Sequence, residues 1–334
     1  MRCNLVLSTM FPLGMSQAQA VDDWLAAVEC AAKYDFDALI AGQHFLHDDL
    51  LMFQPIPMLS RAAAISGRLR LATGILLLPL QNPVRVAEDM ASLDCLCKGR
   101  AIMGVGLGYR EHEFEAFNVS LQDRVGRMTE GLEVIRSLWT QEHTTYRGKH
   151  FRLTECGSNP KPIQQGGLPV WIAAHAEVAV RRAARIGDAW LISPHSDLTV
   201  VDRQIGAFKS VCAELGKVPQ YHLERETHIA DTDAEAINEA RPHLDSKYQA
   251  YVRWGQERVM EQDDRIDLPI DELLKDRFLV GSPETIVRTV RGYKERLGIT
   301  SMVFHVRRPA MDRAMVLRGI ELLGREVLPQ LADV

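Results

Sequence analysis

The sequence predicts an α/β protein, a closed (β/α)8 barrel of the TIM type with insertions after its fourth and seventh strands. Three observations carry this prediction. Short runs of aliphatic and β-branched residues alternate with amphipathic helical stretches, eight times along the chain. The strand-like runs are nearly continuously apolar, as parallel strands covered on both faces must be. No Pro-, Gly- or Ser-rich linker divides the 334 residues, so a single domain over residues 1–334 is expected, within the roughly 200 to 400 residues such barrels occupy.

The elements follow in order. "CNLVLST" (3–9) is strand one, and the helix after it places Val21, Trp24, Leu25, Val28, Ala31 and Ala32 on one face. "DALIAGQ" (37–43) is strand two, "IPMLSRAAAI" (56–65) its helix, and "LRLATGILLL" (69–78) strand three. Asn82 caps the next helix, Pro83 takes its first position and Lys98-Gly99 closes it. "RAIMGVGLG" (100–108) is strand four, and Met128, Leu132, Ile135 and Trp139 share one face of the helix behind it.

"TYRGKHFRL" (145–153) reads as a hairpin around Arg147-Gly148 and marks the first insertion, residues 141–167. "LPVWIAA" (168–174) is strand five, with a helix stopped at Gly187. "DAWLIS" (188–193) is strand six, with a helix to about Leu215, and "YHLERETHIA" (221–230) is strand seven, with a helix from Asp233. Residues 241–278 carry no strand signal and form the second, helical insertion. Ser282-Pro283 open a helix that ends at Gly298, "ITSMVFHV" (299–306) is strand eight, and the last helix covers roughly 310–328.

Composition narrows the function classes. The chain is 46% hydrophobic and 25% charged, with a net charge of −5 and its basic residues scattered. That argues against nucleic acid or an anionic membrane as the main partner. "MRCNLVLSTMFP" is too short for a signal peptide, and no apolar run approaches the ~18 residues of a membrane span. The six cysteines show no CxxC spacing, Cys95 and Cys97 being separated by one residue. They read as reduced thiols, and the protein as soluble and cytoplasmic.

In a barrel of this kind chemistry sits at the C-terminal ends of the strands. The candidates are Ser8 and Thr9, Gln43 and His44, Thr73 and Gly74, then Gly106, Gly108, Tyr109 and Arg110 after strand four. Strand five offers Ala174, His175 and Ala176; strand six, Ser193 and His195; strand seven, Glu226 and His228; strand eight, His305 and Arg307. "GVGLG" (104–108) is not a dinucleotide fingerprint, because its third glycine comes one residue early. Its glycines either admit a flat cofactor or pack a strand end.

"AAHAEVAV" (173–180) sets a strand end against a helix start of small residues. Free N–H groups there suit a phosphate, although the same turn occurs in barrels that bind none. Arg181, Arg182 and Arg185, deeper in that helix, read as a solvated face. No HxxxH or HExxH spacing marks a metal site among the 11 histidines, and no G-x-S-x-G elbow marks a nucleophile.

Several stretches together resemble the bacterial luciferase-like family of flavin- and deazaflavin-dependent oxidoreductases. They are "DALIAGQHF" (37–45), "LATGILLLPLQNPVRVAEDMASLDCLCKGRAIMGVGLGY" (71–109), "EFEAFNV" (113–119), "PVWIAA" with "RRAARIGDAW" (169–190), and "VGSPETIVRTV" (280–290). The resemblance implies a barrel, commonly dimeric, with the flavin across its mouth and a non-proline cis peptide near Gly74-Ile75. It maps His44 to the reactive edge of the flavin and Ala174 to Glu177 to the phosphate loop. Thr73, Gly74, Gly106, Gly108 and Tyr109 would flank the ring. The chain departs from luciferase at Leu107, where luciferase has arginine, and at His175-Ala176, where it has Glu-Ser. Backbone amides or another basic group must then hold the phosphate.

Three functions follow from this. The first is a monooxygenase using reduced FMN and O2, supplied by a separate flavin reductase and working as a homodimer on a small organic substrate. The second is hydride transfer with coenzyme F-420. Deazaflavin sugar dehydrogenases of the family carry a glutamate after strand four, where this chain has Tyr109 with Glu111 and Glu113 close behind. The third is a barrel that only binds a ligand. Met10-Phe11-Pro12, residues 47–57 and the 241–278 insertion would line the substrate pocket, and their Met, Phe, Leu and Tyr content points to an apolar molecule.

Overall fold

The computed structural model describes residues 1–332. Eight parallel strands form the barrel: β1 (Arg2–Val6), β2 (Ala38–Ala41), β3 (Arg70–Thr73), β4 (Ala101–Gly106), β5 (Val170–Ala174), β6 (Ala189–Ile192), β7 (Tyr221–Ile229) and β8 (Ser301–His305). Arg2 pairs with Ser301 and Met103 with Val170, which closes the ring between first and last strand and between its two halves. Around it stand α1 (Gln17–Ala31), α2 (Pro55–Ala62), α3 (Pro83–Leu96), α4 (Arg124–Thr140), α5 (Glu177–Ile186), α6 (Leu198–Glu214), α7 (Asp233–Arg253), α8 (Pro283–Leu297) and α9 (Arg313–Leu322).

Alternation along each strand divides the buried residues in two. Val6, Ile40, Ala72, Ile102, Trp171, Leu191 and Val303 fill the barrel interior. The opposite faces meet the helices in one large core that includes Trp24, Leu39, Leu71, Met103, Trp190 and Phe304. Indole N–H groups in this core still find acceptors, Trp24 on the Leu7 carbonyl (3.1 Å) and Trp190 on that of Ala174 (3.1 Å).

The caps fall where the sequence puts them. Asn82 accepts from the Val84 amide at 2.9 Å, Lys98 and Gly99 turn the chain with φ of 55° and 79°, and Gly298 ends α8 at φ 67°. The hairpin of the first insertion forms between Thr144–Arg147 and Arg152–Cys156. That insertion is anchored by the buried Asp94 carboxylate, which accepts from the amides of Ala101 (3.1 Å), Ile163 (2.8 Å) and Gln164 (3.1 Å). Asp94→Ala leaves three amide donors without their acceptor, that of Ala101 fully buried, and is expected to lower the unfolding free energy by about 2–3 kcal/mol in urea titrations.

Four features depart from the sequence reading. The third strand does not run to residue 78. It ends at Thr73, a cis peptide joins Gly74 to Ile75 as the family resemblance implied, and Leu76–Leu77 resumes beside β4. The chain after β1 returns as Met10–Pro12, which pairs antiparallel with Leu50–Met52 at the mouth. The second insertion has no boundary at 241, because α7 runs through it with Pro242 inside. It also ends in a strand, Phe278–Gly281, which pairs with the overhanging half of β7, Glu226–Ile229. Four residues are too few to signal a strand alone, whereas the full length of β7 was legible.

Candidate active site

A cavity of about 950 Å³ opens at the C-terminal end of the barrel, between the strand ends and the wall made by α7 and the segment after it. Of the residues flagged in the sequence, Ser8, Thr9, Gln43, His44, Gly74, Gly106, Gly108, Tyr109, Ala174, His175, Ala176, Ser193, His195 and His305 line it. Met10, Pro12, Leu50 and Met52 of the mouth ribbon, and Pro242 to Met260 of the second insertion, supply much of the remaining wall.

His44 follows β2 and is fixed from both sides. The Gln43 side chain accepts from the Leu77 amide (3.0 Å) and donates to Gln54 (2.7 Å), which in turn donates to the His44 carbonyl (3.0 Å). The His44 Nδ1 lies 3.1 Å from Oε1 of Glu113, on the short helix Glu111–Ala116 that follows β4. The same oxygen accepts from the Phe45 amide (2.8 Å) and from Arg110 (3.2 Å), whose guanidinium lies 5.2 Å from the Trp254 ring centre.

Burial would raise the pKa of the Glu113 carboxyl, but the His44 hydrogen bond and charge, the Phe45 amide and Arg110 outweigh it and hold the group below its ordinary value. Glu113 is therefore a fully buried carboxylate, and its second oxygen, Oε2, has no hydrogen-bond partner. His47 lies 5.9 Å from the His44 ring. Burial, with the charges of Arg110 and His44, pulls its pKa down to about 4. The sequence named Glu113 only as near a family position. Its partnership with His44 spans 69 residues, and only the fold brings the two together.

Across the cavity, β5 leads into α5. Tyr109 has a buried hydroxyl without a partner, and so does Nδ1 of His175, whose pKa burial draws down to about 4. Both residues line the cavity, and these two orphaned atoms lie beneath its surface. Arg182 of α5 and Arg124 of α4 line the same wall. Burial, then the charge of Arg124, lowers the Arg182 pKa from its usual value, so a bound anion would relieve both guanidiniums. Arg182 is thus not part of a solvated face, whereas Arg181 pairs with Glu177 at 2.8 Å.

Two flagged residues are engaged elsewhere. Thr73 does not reach the cavity, because its hydroxyl both donates to the Gly104 carbonyl and accepts from the Gly104 amide, each at 2.9 Å. The Glu177 amide, expected to be free for a phosphate, donates instead to the Glu261 carboxylate at 2.7 Å. The glycines are closely packed as well as lining the cavity: a Cβ on Gly106 would lie 2.7 Å from Ile75 Cδ1, and one on Gly74 2.2 Å from Ile40 Cγ2.

The far side of the cavity is charged. His305 Nε2 lies 3.1 Å from Glu224, and Lys247 of α7 bonds the buried Glu226. Arg307 is absent from this group, donating to the carbonyls of Ser8 (2.7 Å) and Met10 (2.6 Å) and stacking 3.6 Å from the Phe11 ring centre. Among the described residues no three His, Cys, Asp or Glu side chains are placed to hold a metal, and no helix is long and apolar enough to cross a membrane.

The family model for luciferase-like monooxygenases matches residues 1–301. The chain belongs to this oxidoreductase family. An F-420-dependent glucose-6-phosphate dehydrogenase 2 of Rhodococcus jostii is 25% identical over 90% of this chain and 91% of its own. A similar enzyme of Nocardia farcinica is 26% identical over 82% of each. The solved structure of the monooxygenase RslO1 from Streptomyces bottropensis superposes with a TM-score of 0.88 at 22% identity, covering 99% of this chain and all of the other. Within the luciferase-like fold, His44 and Glu113 stand at the ends of β2 and β4, on the face where barrel enzymes carry their chemistry.

Proposed function

We propose that this luciferase-like protein is an F-420-dependent oxidoreductase, with the deazaflavin lying between β3–β5 and α7 and His44 moving the proton that accompanies hydride transfer. The His44–Glu113 contact supports this reading most directly. It supplies the glutamate after strand four that Tyr109 seemed to replace, and the curated relatives named above are F-420-dependent. The deazaflavin supplies hydride acceptance; the chain's residues bind, orient and handle the proton. Gln43 and Gln54 fix the His44 backbone, and Glu113 fixes the ring through Nδ1, so Nε2 serves the substrate. Tyr109 and His175 offer hydrogen bonds to the ring system, and Arg124 with Arg182 offers charge to the phosphate.

A second reading, reduced FMN with O2, a separate flavin reductase and an apolar organic substrate, draws support from the apolar mouth ribbon Met10–Pro12 with Leu50–Met52. Equilibrium titration of the protein with F-420 and with FMN separates the two. Tight F-420 binding with FMN at least tenfold weaker is expected; the reverse order, with O2 uptake on adding reduced FMN, replaces the first reading by the second. Binding of neither removes both and leaves a barrel that binds some other ligand. Whichever flavin binds, Arg182→Ala should weaken it about tenfold while changing riboflavin, which has no phosphate, by less than about twofold.

A further inference from the structure

Two histidine–carboxylate pairs face this one cavity, and only one has been given a task. His44 and Glu113 come from the segments that follow β2 and β4; His305 ends β8, and Glu224 lies midway along β7. Going round the barrel, the small residues Gly74, Gly106 and Ala174 mark β3, β4 and β5, the side proposed for the cofactor ring. His44 and His305 flank the opposite side, with β1 between them. A substrate that meets His44 therefore extends towards His305.

That chamber is not apolar. His305 Nε2 is held by Glu224 at 3.1 Å, while its Nδ1 lies 3.7 Å from Glu226, too far for a hydrogen bond, and remains available. Lys247 bonds Glu226 with one of three N–H donors and lies 5.6 Å from the Tyr251 ring centre. Arg308 stands 3.8 Å from the other Glu226 oxygen and is held by His228 at 2.8 Å. The carboxylates of Glu224 and Glu226 stand against the cations Lys247 and Arg308, two of each sign. Two carboxylates repel an anionic substrate, and two fixed cations repel a cationic one.

We infer that Lys247 and His305 form a substrate-specificity site that reads a neutral molecule through a carbonyl or hydroxyl oxygen. The inference rests on the cofactor-side assignment above and amends the expectation of an apolar substrate. Lys247 donates to the oxygen, His305 Nδ1 accepts from a hydroxyl because Nε2 carries the proton towards Glu224, and Glu224 and Glu226 keep both side chains pointed at it. The apolar mouth ribbon takes the hydrocarbon part.

The test compares two probes of one shape, cyclohexanone and methylenecyclohexane, the second lacking the oxygen. Their binding is read from the perturbed visible spectrum of whichever flavin the protein holds, and in parallel from tryptophan fluorescence, since Trp254 lines the cavity. The wild type is expected to bind the ketone at least tenfold more tightly. Lys247→Met should bring this ratio to within about threefold, and His305→Phe should do the same to the ratio of cyclohexanol to methylcyclohexane, with flavin affinity unchanged in both. A wild-type ratio below threefold, or a ratio that survives its substitution, overturns the inference. Lys247→Met/Glu226→Gln, which leaves no buried charge unpaired, stands in should the single variant fail to fold. A protein that binds neither flavin overturns the proposed function instead, and the fluorescence comparison still decides the ketone site.

Discussion

His44→Ala is expected to lower kcat by about 10²- to 10⁴-fold while leaving cofactor affinity within about twofold. The loss falls on turnover because the imidazole is held for proton transfer rather than for binding: its Nδ1 is committed to Glu113 at 3.1 Å and its backbone to Gln54. The flavin phosphate would rest on the other wall, with Arg124 and Arg182. His44→Asn keeps a hydrogen-bonding head of similar reach but removes the titrating nitrogen. It should be nearly as inactive as His44→Ala if proton transfer is the role. If His44→Asn recovers most of the turnover, His44 orients the substrate and another group moves the proton. Stopped-flow cofactor reduction with saturating substrate, run with flavin titrations on the same samples, gives both numbers.

The contrast between what the sequence showed and what it concealed has a physical basis. Strands and caps are local. Apolar runs, Asn82-Pro83 and Gly298 act through their own neighbours, so periodicity and capping chemistry reveal them. His44 was legible because a polar pair closing an apolar strand is a local anomaly. Glu113 was not, because a glutamate in a short acidic helix looks like any solvated one until the fold buries it against a histidine 69 residues away. Arg182 misled for the opposite reason. Three arginines in one helix suggest a wet face, but helical rotation turns Arg181 to Glu177 and Arg182 to the cavity. Thr73 was placed correctly along its strand, yet its hydroxyl is engaged by Gly104 of the neighbouring strand, a pairing that depends on register.

Glu113→Ala should cost about 3–5 kcal/mol of stability as well as activity, because it breaks a fully buried ion pair and leaves Arg110 without its carboxylate. Glu113→Gln separates the two effects. The amide still accepts from the Phe45 N–H, so most of the fold is kept, but the carboxylate that holds the His44 ring is gone. Turnover should then fall with little change in the unfolding midpoint. Stability carries its own pH signature. The folded Glu113 pKa lies below the ordinary 4.5, so its contribution is fully present above the unfolded value and is lost as pH falls through the folded one. The stability difference between wild type and Glu113→Ala should therefore stay constant near neutrality and shrink as the pH is taken below about 4.5. A difference that stayed level to the lowest pH at which the chain remains folded would mean that Glu113 is not a carboxylate in the folded protein. The dyad would then have to work with a neutral acid beside His44.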